Sequence, residues 1–100
     1  MPTLEERIVS DIVGYIEQSG GEFSSWYVGI AGDARACLFK DHNVDEASGL
    51  WIFDNAITEN CARNVEQRII EEHKTQGVVG GAGYTTTSVY AYKITPTTRQ

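Results

Sequence analysis

The strongest constraint on the fold of this chain is a strand, turn and helix pattern in residues 24–44, SSWYVGIAGDARACLFKDHNV. Its aromatic and β-branched run at residues 26–30 is typical of a β-strand. Gly32 and Asp33 end that run, and the Asp33 carboxylate can accept a hydrogen bond from a free amide of a following helical turn. We therefore predict a strand, a tight turn and a short helix that ends near His42.

The remaining elements follow from apolar periodicity. Apolar residues at helical spacing indicate helices at residues 3–17 and from residue 58 or 60 to 75. Short apolar or alternating runs indicate strands at residues 50–53 and 85–94. This order predicts an α+β fold: a small three-stranded, mainly antiparallel sheet with about three helices packed against it. A parallel sheet is the weaker alternative.

The length of 100 residues predicts one domain with a modest core. Within it, residues 1–20 are expected to form the N-terminal amphipathic helix and its exit, residues 24–94 the αβ core, and residues 95–100 a tail. No internal repeat or low-complexity segment divides the chain.

Charge and cysteine content limit the class of function. The net charge of -6 disfavours a protein that holds nucleic acid by a general basic coat, although it allows a local basic patch. Cys37 and Cys61 lack metal-ligand spacing. The first residues do not resemble a signal peptide, and no apolar run approaches the length of a membrane span. We therefore expect a cytoplasmic protein with reduced thiols and no membrane contact.

Three features suggest a site. Tyr27 and Gly29 share one face of the first strand, and Gly29 leaves room there for another backbone or a ligand. Glu66 lies on the flank of the apolar face of the third helix, where a carboxylate suits either a metal ligand or a plain boundary residue. The glycine-rich residues 77–83 lack the phosphate-loop pattern and predict a hinge or mobile lid.

The run YVGI at residues 27–30, followed by Asp33, Arg35, a short helix and His42, resembles the second half of the GIY-YIG nuclease module. That family places a YIG strand before a helix with an arginine and carries a metal-binding glutamate on a later helix. The family's GIY strand precedes its YIG strand, whereas here a helix occupies that place. Residues 89–94 would supply the missing strand if the chain were a circularly permuted relative.

The resemblance implies metal-assisted phosphodiester cleavage. By resemblance, Tyr27, Arg35, His42 and Tyr90 are candidate catalytic residues, with Tyr92 as the alternative to Tyr90, and Glu66 is the candidate ligand of one divalent cation, expected to be Mg2+. The cation would neutralise charge on the transferring phosphate, and Arg35 would stabilise that same charge.

Two alternatives to an enzyme remain open on the sequence. The chain is also compatible with a catalytically inactive module on the same scaffold, whose acidic surface or exposed aromatic residues bind a protein partner. It is also compatible with a structural subunit that oligomerises through the edge of the strand at residues 85–94.

Overall fold

The computed structural model describes residues 3–19, 22–47, 49–77 and 87–98. Within them the chain has the predicted α+β fold, with three helices and three strands: α1 Leu4–Gln18, β1 Trp26–Ala31, α2 Ala34–Ala36, β2 Trp51–Asn55, α3 Glu59–His73 and β3 Ser88–Lys93. A short 3-10 turn, Phe23–Ser25, precedes β1, and a π-helical turn, Cys37–Asp41, continues α2.

The sheet is antiparallel throughout and has the order β1-β3-β2. Its register places Tyr27 of β1 opposite Tyr92 of β3, and Gly29 opposite Tyr90. On the other side of β3, Trp51 of β2 lies opposite the same Tyr92. Because β3 is the central strand, the idea that its edge pairs with another subunit is wrong; β1 and β2 are the outer strands.

One face of the sheet, here called the apolar face, is covered by α1 and α3. Both helices present a stripe of aliphatic side chains at helical spacing, and burial of such a stripe is the main reason that an amphipathic helix packs on a sheet. The buried cluster on this face is Ile8, Ile12, Ile16, Trp26, Val28, Ala56, Ala62, Val65, Ile69, Val89 and Ala91. This cluster fixes the positions of β1 and β3, on which the candidate site depends.

The opposite face, here called the tyrosine face, is covered by α2 and the π-helical turn. Its buried apolar cluster is smaller and consists of Ala31, Ala34, Leu38, Val44, Tyr90 and Tyr92. Alternation of side chains along each strand places Tyr27, Tyr90 and Tyr92 on this face together. Aromatic rings therefore replace aliphatic side chains as the contact between sheet and helix.

Several boundaries differ from those predicted. Strand β2 continues to Asn55, because Asp54 and Asn55 still pair with β3. Helix α3 ends at His73, because Lys74 adopts a left-handed conformation with φ 63°. The residues that follow do not continue the helix; Gln76 instead forms a parallel bridge with Tyr27 beside the outer edge of β1.

Some predictions fall on residues that are not described. The glycine-rich hinge or lid lies outside the described residues except at its first residue, Gly77. The first two residues of the predicted third strand and the glycines expected to end the first helix also lie outside them. Among the residues that are described, none of the helices has the length and apolar character needed to span a membrane.

Candidate functional site

The turn that carries His42 is wider than an ordinary helix. The Asp33 carboxylate accepts a hydrogen bond from the Ala36 amide at 3.1 Å, which starts the helix as the sequence predicts. At the other end the His42 amide donates to the Cys37 carbonyl at 2.9 Å, five residues back, which is the π-helical pattern. Asn43 then reverses the chain with φ 57°, a conformation that asparagine tolerates. The result turns the His42 ring towards the sheet.

His42 lies between two tyrosine hydroxyls. Its Nε2 is 2.7 Å from the Tyr90 hydroxyl, and its Nδ1 is 3.0 Å from the Tyr92 hydroxyl. The three residues are buried, with exposed fractions of 9% for His42, 4% for Tyr90 and 0% for Tyr92. Both ring nitrogens of His42 therefore face a hydroxyl that can donate or accept a hydrogen bond, and the tautomer of the ring decides which partner donates.

Tyr27 completes this group of rings and is its most accessible member. Its ring stacks on Tyr92 with centroids 5.3 Å apart and lies 5.0 Å from the His42 ring. Unlike the other two tyrosines it is partly exposed. We call Tyr27, His42, Tyr90 and Tyr92 the tyrosine–histidine cluster. Tyr27 is the member that a ligand can touch without displacing the helix.

Gly29 makes the cluster possible. A Cβ at this position would lie 2.5 Å from the Tyr90 hydroxyl oxygen and 2.6 Å from its ring carbon Cζ. The space at Gly29 is therefore filled by a side chain of the neighbouring strand, and not by the backbone or ligand that the sequence suggested.

Glu66 comes from α3 and is 3% exposed. Its charge acts on the cluster: it contributes, after burial, to a raised pKa of Tyr27, and it is one of the charges that add to the effect of burial on the pKa of Tyr90. The pKa of Tyr92 is also raised, by burial and then by Tyr27. Since a raised pKa favours the neutral phenol, all three hydroxyls keep their protons well above neutral pH.

Arg35 is held away from the cluster by other partners. It forms an ion pair with Glu46, and its guanidinium carbon lies 5.2 Å from the Phe39 ring centroid and 5.8 Å from that of Trp51. Of the predicted site residues, the structure thus brings Tyr27, His42 and Tyr90 together, with Glu66 in electrostatic range. It places Arg35 on the side of α2 that faces β2.

The donor set for a metal is small. Within the described ranges, no group of three or more histidine, cysteine, aspartate or glutamate side chains is arranged to hold a metal ion. Zinc sites take three or four protein ligands, whereas Mg2+ keeps several waters and is commonly bound by one or two carboxylates together with substrate phosphates. Glu66 is a single carboxylate that is 3% exposed, so a hydrated cation would reach it only if the surrounding side chains moved.

Two further residues belong to the site. Tyr92, which the sequence offers only as an alternative to Tyr90, contacts the second nitrogen of His42, and the alternation Tyr90, Ala91, Tyr92 is the signal that it shares the face of Tyr90. Cys37 is the other: its thiol contributes to the raised pKa of Tyr27 and Tyr90, and its own pKa is raised by burial and by Asp41.

Comparison with known proteins supplies no relative. No protein-family model, no curated protein and no solved structure matches this chain.

Proposed function

We propose that this chain hydrolyses phosphodiester bonds of nucleic acid with the help of one divalent cation bound at Glu66. The observation that carries the proposal is the convergence of Tyr27, His42 and Tyr90 from three separate segments, with the charge of Glu66 acting on the same hydroxyls. Buried groups with perturbed pKa values that converge from separate segments are a recurring feature of catalytic sites.

The proposed relationship to the GIY-YIG nucleases would be a circular permutation. In the antiparallel pair of β1 and β3, the YVGI strand lies beside the strand that carries Tyr90 and Tyr92. This is the pairing that a displaced GIY strand would require. The support for this relationship is the position of Tyr27 beside Tyr90 and Tyr92, and it does not depend on similarity to a known protein.

In the proposed reaction a water oxygen bonds to phosphorus and the water gives up one proton to solvent, while the ester P–O bond breaks and the leaving oxygen takes up one proton from solvent. The Tyr27 hydroxyl, the accessible member of the cluster, would contact and orient the water. His42 would be held in place by its contacts with the Tyr90 and Tyr92 hydroxyls, and its ring would pack beside that of Tyr27.

Glu66 would hold the cation. The positive charge of the cation would neutralise charge on the phosphate and would favour the ionised form of nearby oxygen groups. Without that positive charge the Glu66 carboxylate has the opposite effect, because it contributes to the raised pKa of Tyr27. The proposal therefore requires activity to depend on a cation and on the Glu66 carboxylate together.

The test is cleavage of single-stranded and duplex DNA in Mg2+ or Mn2+, with Glu66→Gln as the decisive variant. This change removes the carboxylate and keeps the shape of the side chain, and circular dichroism of the variant checks that it is folded. We expect metal-dependent cleavage that Glu66→Gln abolishes. Glu71→Gln, on an exposed position of the same helix, is the matched control and should retain activity.

No cleavage by the unaltered chain, or equal cleavage by Glu66→Gln, would overturn the proposal. The same samples allow a second readout, because Mg2+ bound at Glu66 should shift the NMR amide signals of α3 near residue 66 in the unaltered chain and not in Glu66→Gln.

A second candidate function is protein binding without catalysis, and Ile57 favours it. This side chain is 69% exposed, and the residue adopts φ 70°, which is strained for a β-branched residue. An exposed aliphatic side chain on a strained turn suits a contact with an apolar pocket of another protein. If that protein is a second copy, the molar mass should exceed 11.0 kDa and return to that value in Ile57→Asp.

A further inference from the structure

A second group of rings lies on the tyrosine face and comes from β2 and the π-helical turn. The rings of Trp51 and Phe53 are nearly parallel, with an angle of 11° and centroids 6.1 Å apart. Phe39 meets Trp51 edge-on at 5.0 Å. All three side chains are partly exposed. We call Trp51, Phe53, Phe39 and the neighbouring Arg35 the Trp51 platform.

The platform is held in place by its surroundings. The Trp51 indole N–H donates to the Glu46 carbonyl at 3.2 Å, which fixes the ring plane. Arg35 lies over Phe39 and Trp51, where a guanidinium is attracted to the faces of aromatic rings. Its ion pair with the Glu46 carboxylate joins side chains that are 52% and 54% exposed, and a pair so exposed contributes little to stability. A phosphate could therefore replace Glu46 at small cost.

The position of the platform relates it to the proposed catalytic group. Trp51 lies opposite Tyr92 and Phe53 opposite Tyr90 in the register of β2 and β3. Strand β1, which carries Tyr27, is two strand spacings from β2, or about 10 Å. A flexible polymer bound at Tyr27 can therefore reach the platform.

We propose that the Trp51 platform binds one strand of single-stranded nucleic acid, with bases stacked on Trp51 and Phe53 and a phosphate bound by Arg35 in place of Glu46. This names the substrate form for the hydrolysis proposed above and rests on it. Flat rings next to an exchangeable guanidinium are complementary to a nucleotide, which carries both a flat base and an anion. A duplex hides its base faces, so a single strand is the form that stacks on such rings.

The acidic character of the chain determines how strongly the Trp51 platform should bind a nucleic acid. With a net charge of -6 there is no basic coat, so affinity should come from stacking and from one phosphate contact. Neutralising one phosphate of a single strand gives a slope of log affinity against log salt of about -0.7. The expected binding is therefore weak and only slightly sensitive to salt.

The experiment is a titration of fluorescently labelled oligothymidylate with the full chain in EDTA, followed by anisotropy. Without a cation, binding is measured separately from cleavage. We expect binding that Trp51→Leu weakens at least about fivefold, the lower end of the loss for one stacked base. Phe23→Leu is the matched control, because Phe23 stacks on His73 away from the platform. Trp26 is 1% exposed, so quenching of tryptophan fluorescence by unlabelled oligothymidylate reports on Trp51.

Two charge variants test the phosphate contact. Arg35→Gln should bring the salt slope close to zero, whereas Arg68→Gln, which removes the arginine of another surface ion pair, should leave it unchanged. Glu46→Gln releases Arg35 and should tighten binding severalfold. Glu71→Gln makes the same change of net charge elsewhere and should not tighten binding.

The outcomes separate this proposal from the hydrolysis proposal. Binding that depends on Trp51 without any cleavage would support the platform and contradict hydrolysis. Cleavage with Trp51→Leu binding as tightly as the unaltered chain would overturn the platform and leave hydrolysis standing. Equal affinity for duplex and single strand would also overturn it. If Trp51→Leu proves unfolded by circular dichroism, the paired results for Glu46→Gln and Glu71→Gln decide.

Discussion

The two faces of the sheet are formed by the same three strands but bury different kinds of side chain. On the apolar face, α1 and α3 bury their own aliphatic side chains against the sheet. Examples are Ile12, Val65 and Ile69, each with an exposed fraction of 0%. On the tyrosine face, a buried imidazole and two buried hydroxyls satisfy one another under a short helix. Burying polar groups costs free energy unless each finds a partner. The stability of the tyrosine face therefore depends on the geometry of its hydrogen bonds, whereas the stability of the apolar face depends on the volume that its buried side chains fill.

This difference predicts where changes act. A substitution on the apolar face should lower the free energy of unfolding without a specific effect on the site. A substitution on the tyrosine face should disturb the cluster more than it disturbs the fold.

The largest expected effect is that of Ile69→Ala. Ile69 is fully buried between α3 and the sheet, and truncation of such a side chain costs about 2–5 kcal/mol in lost burial and an unfilled cavity. For a domain of this size that is a large part of the total stability. Urea unfolding followed by circular dichroism measures the loss. A loss below about 1 kcal/mol would contradict the assignment of this face as the main source of stability.

A sharper comparison comes from one glycine on each face. Gly29→Ala places a Cβ against the Tyr90 ring and should destabilise the fold by about 1–3 kcal/mol while breaking the His42–Tyr90 hydrogen bond. Gly14→Ala, in α1 with no atom within 4 Å of the new Cβ, should instead stabilise the fold by up to about 1 kcal/mol. NMR signals of the His42 ring should shift in the first variant only.

The double variant Gly29→Ala, Tyr90→Leu tests the cause. If the clash with Tyr90 is the reason for the loss, the double variant should be more stable than the sum of the two single changes predicts. Additive costs would show that Gly29 is needed for another reason, such as strand conformation.

The comparison of faces also explains what the sequence could reveal. Helix and strand periodicity predicted α1, α3 and all three strands, because these elements carry continuous apolar patterns that only one secondary structure can bury. The alternation of Tyr90 and Tyr92 along a strand is a pattern that places them on one face, but the sequence could not say which strand would lie beside that face. Strand order depends on packing of the whole chain, and local pattern does not encode it.

The geometry around His42 was beyond sequence reasoning for a different reason. A π-helical turn differs from an α-helix by one hydrogen-bond step, and residues 37–41 carry no pattern that distinguishes the two. The position of Arg35 was equally hidden, since a long exposed side chain takes its direction from partners such as Glu46 and Trp51. The resemblance to the GIY-YIG module named candidate residues of the site and left their contacts undetermined.

The smallest expected effect lies at the border of the apolar face, where Asp54 of β2 meets α1. Asp54 and Asp11 help to line an open cavity of about 410 Å³. The pKa of Asp54 is raised by burial, by the charge of Asp11 and by a hydrogen bond with it, against a smaller opposing effect of Arg7. The folded chain therefore binds this proton more tightly than the unfolded chain, so stability is lost as the pH rises above the usual range of an aspartate.

Asp54→Asn should remove that loss. At neutral pH the variant should be more stable than the unaltered chain by less than about 1 kcal/mol, and the difference should vanish in acid, where the carboxyl is already protonated. Thermal unfolding between pH 3 and 8 measures both limits, with Glu17→Gln on an exposed position of α1 as the control for the change of net charge. A gain in stability that is the same at every pH would instead show that it arises from packing and not from the charge of Asp54. The cluster around His42 would then be the one difference between the two faces that involves polar groups.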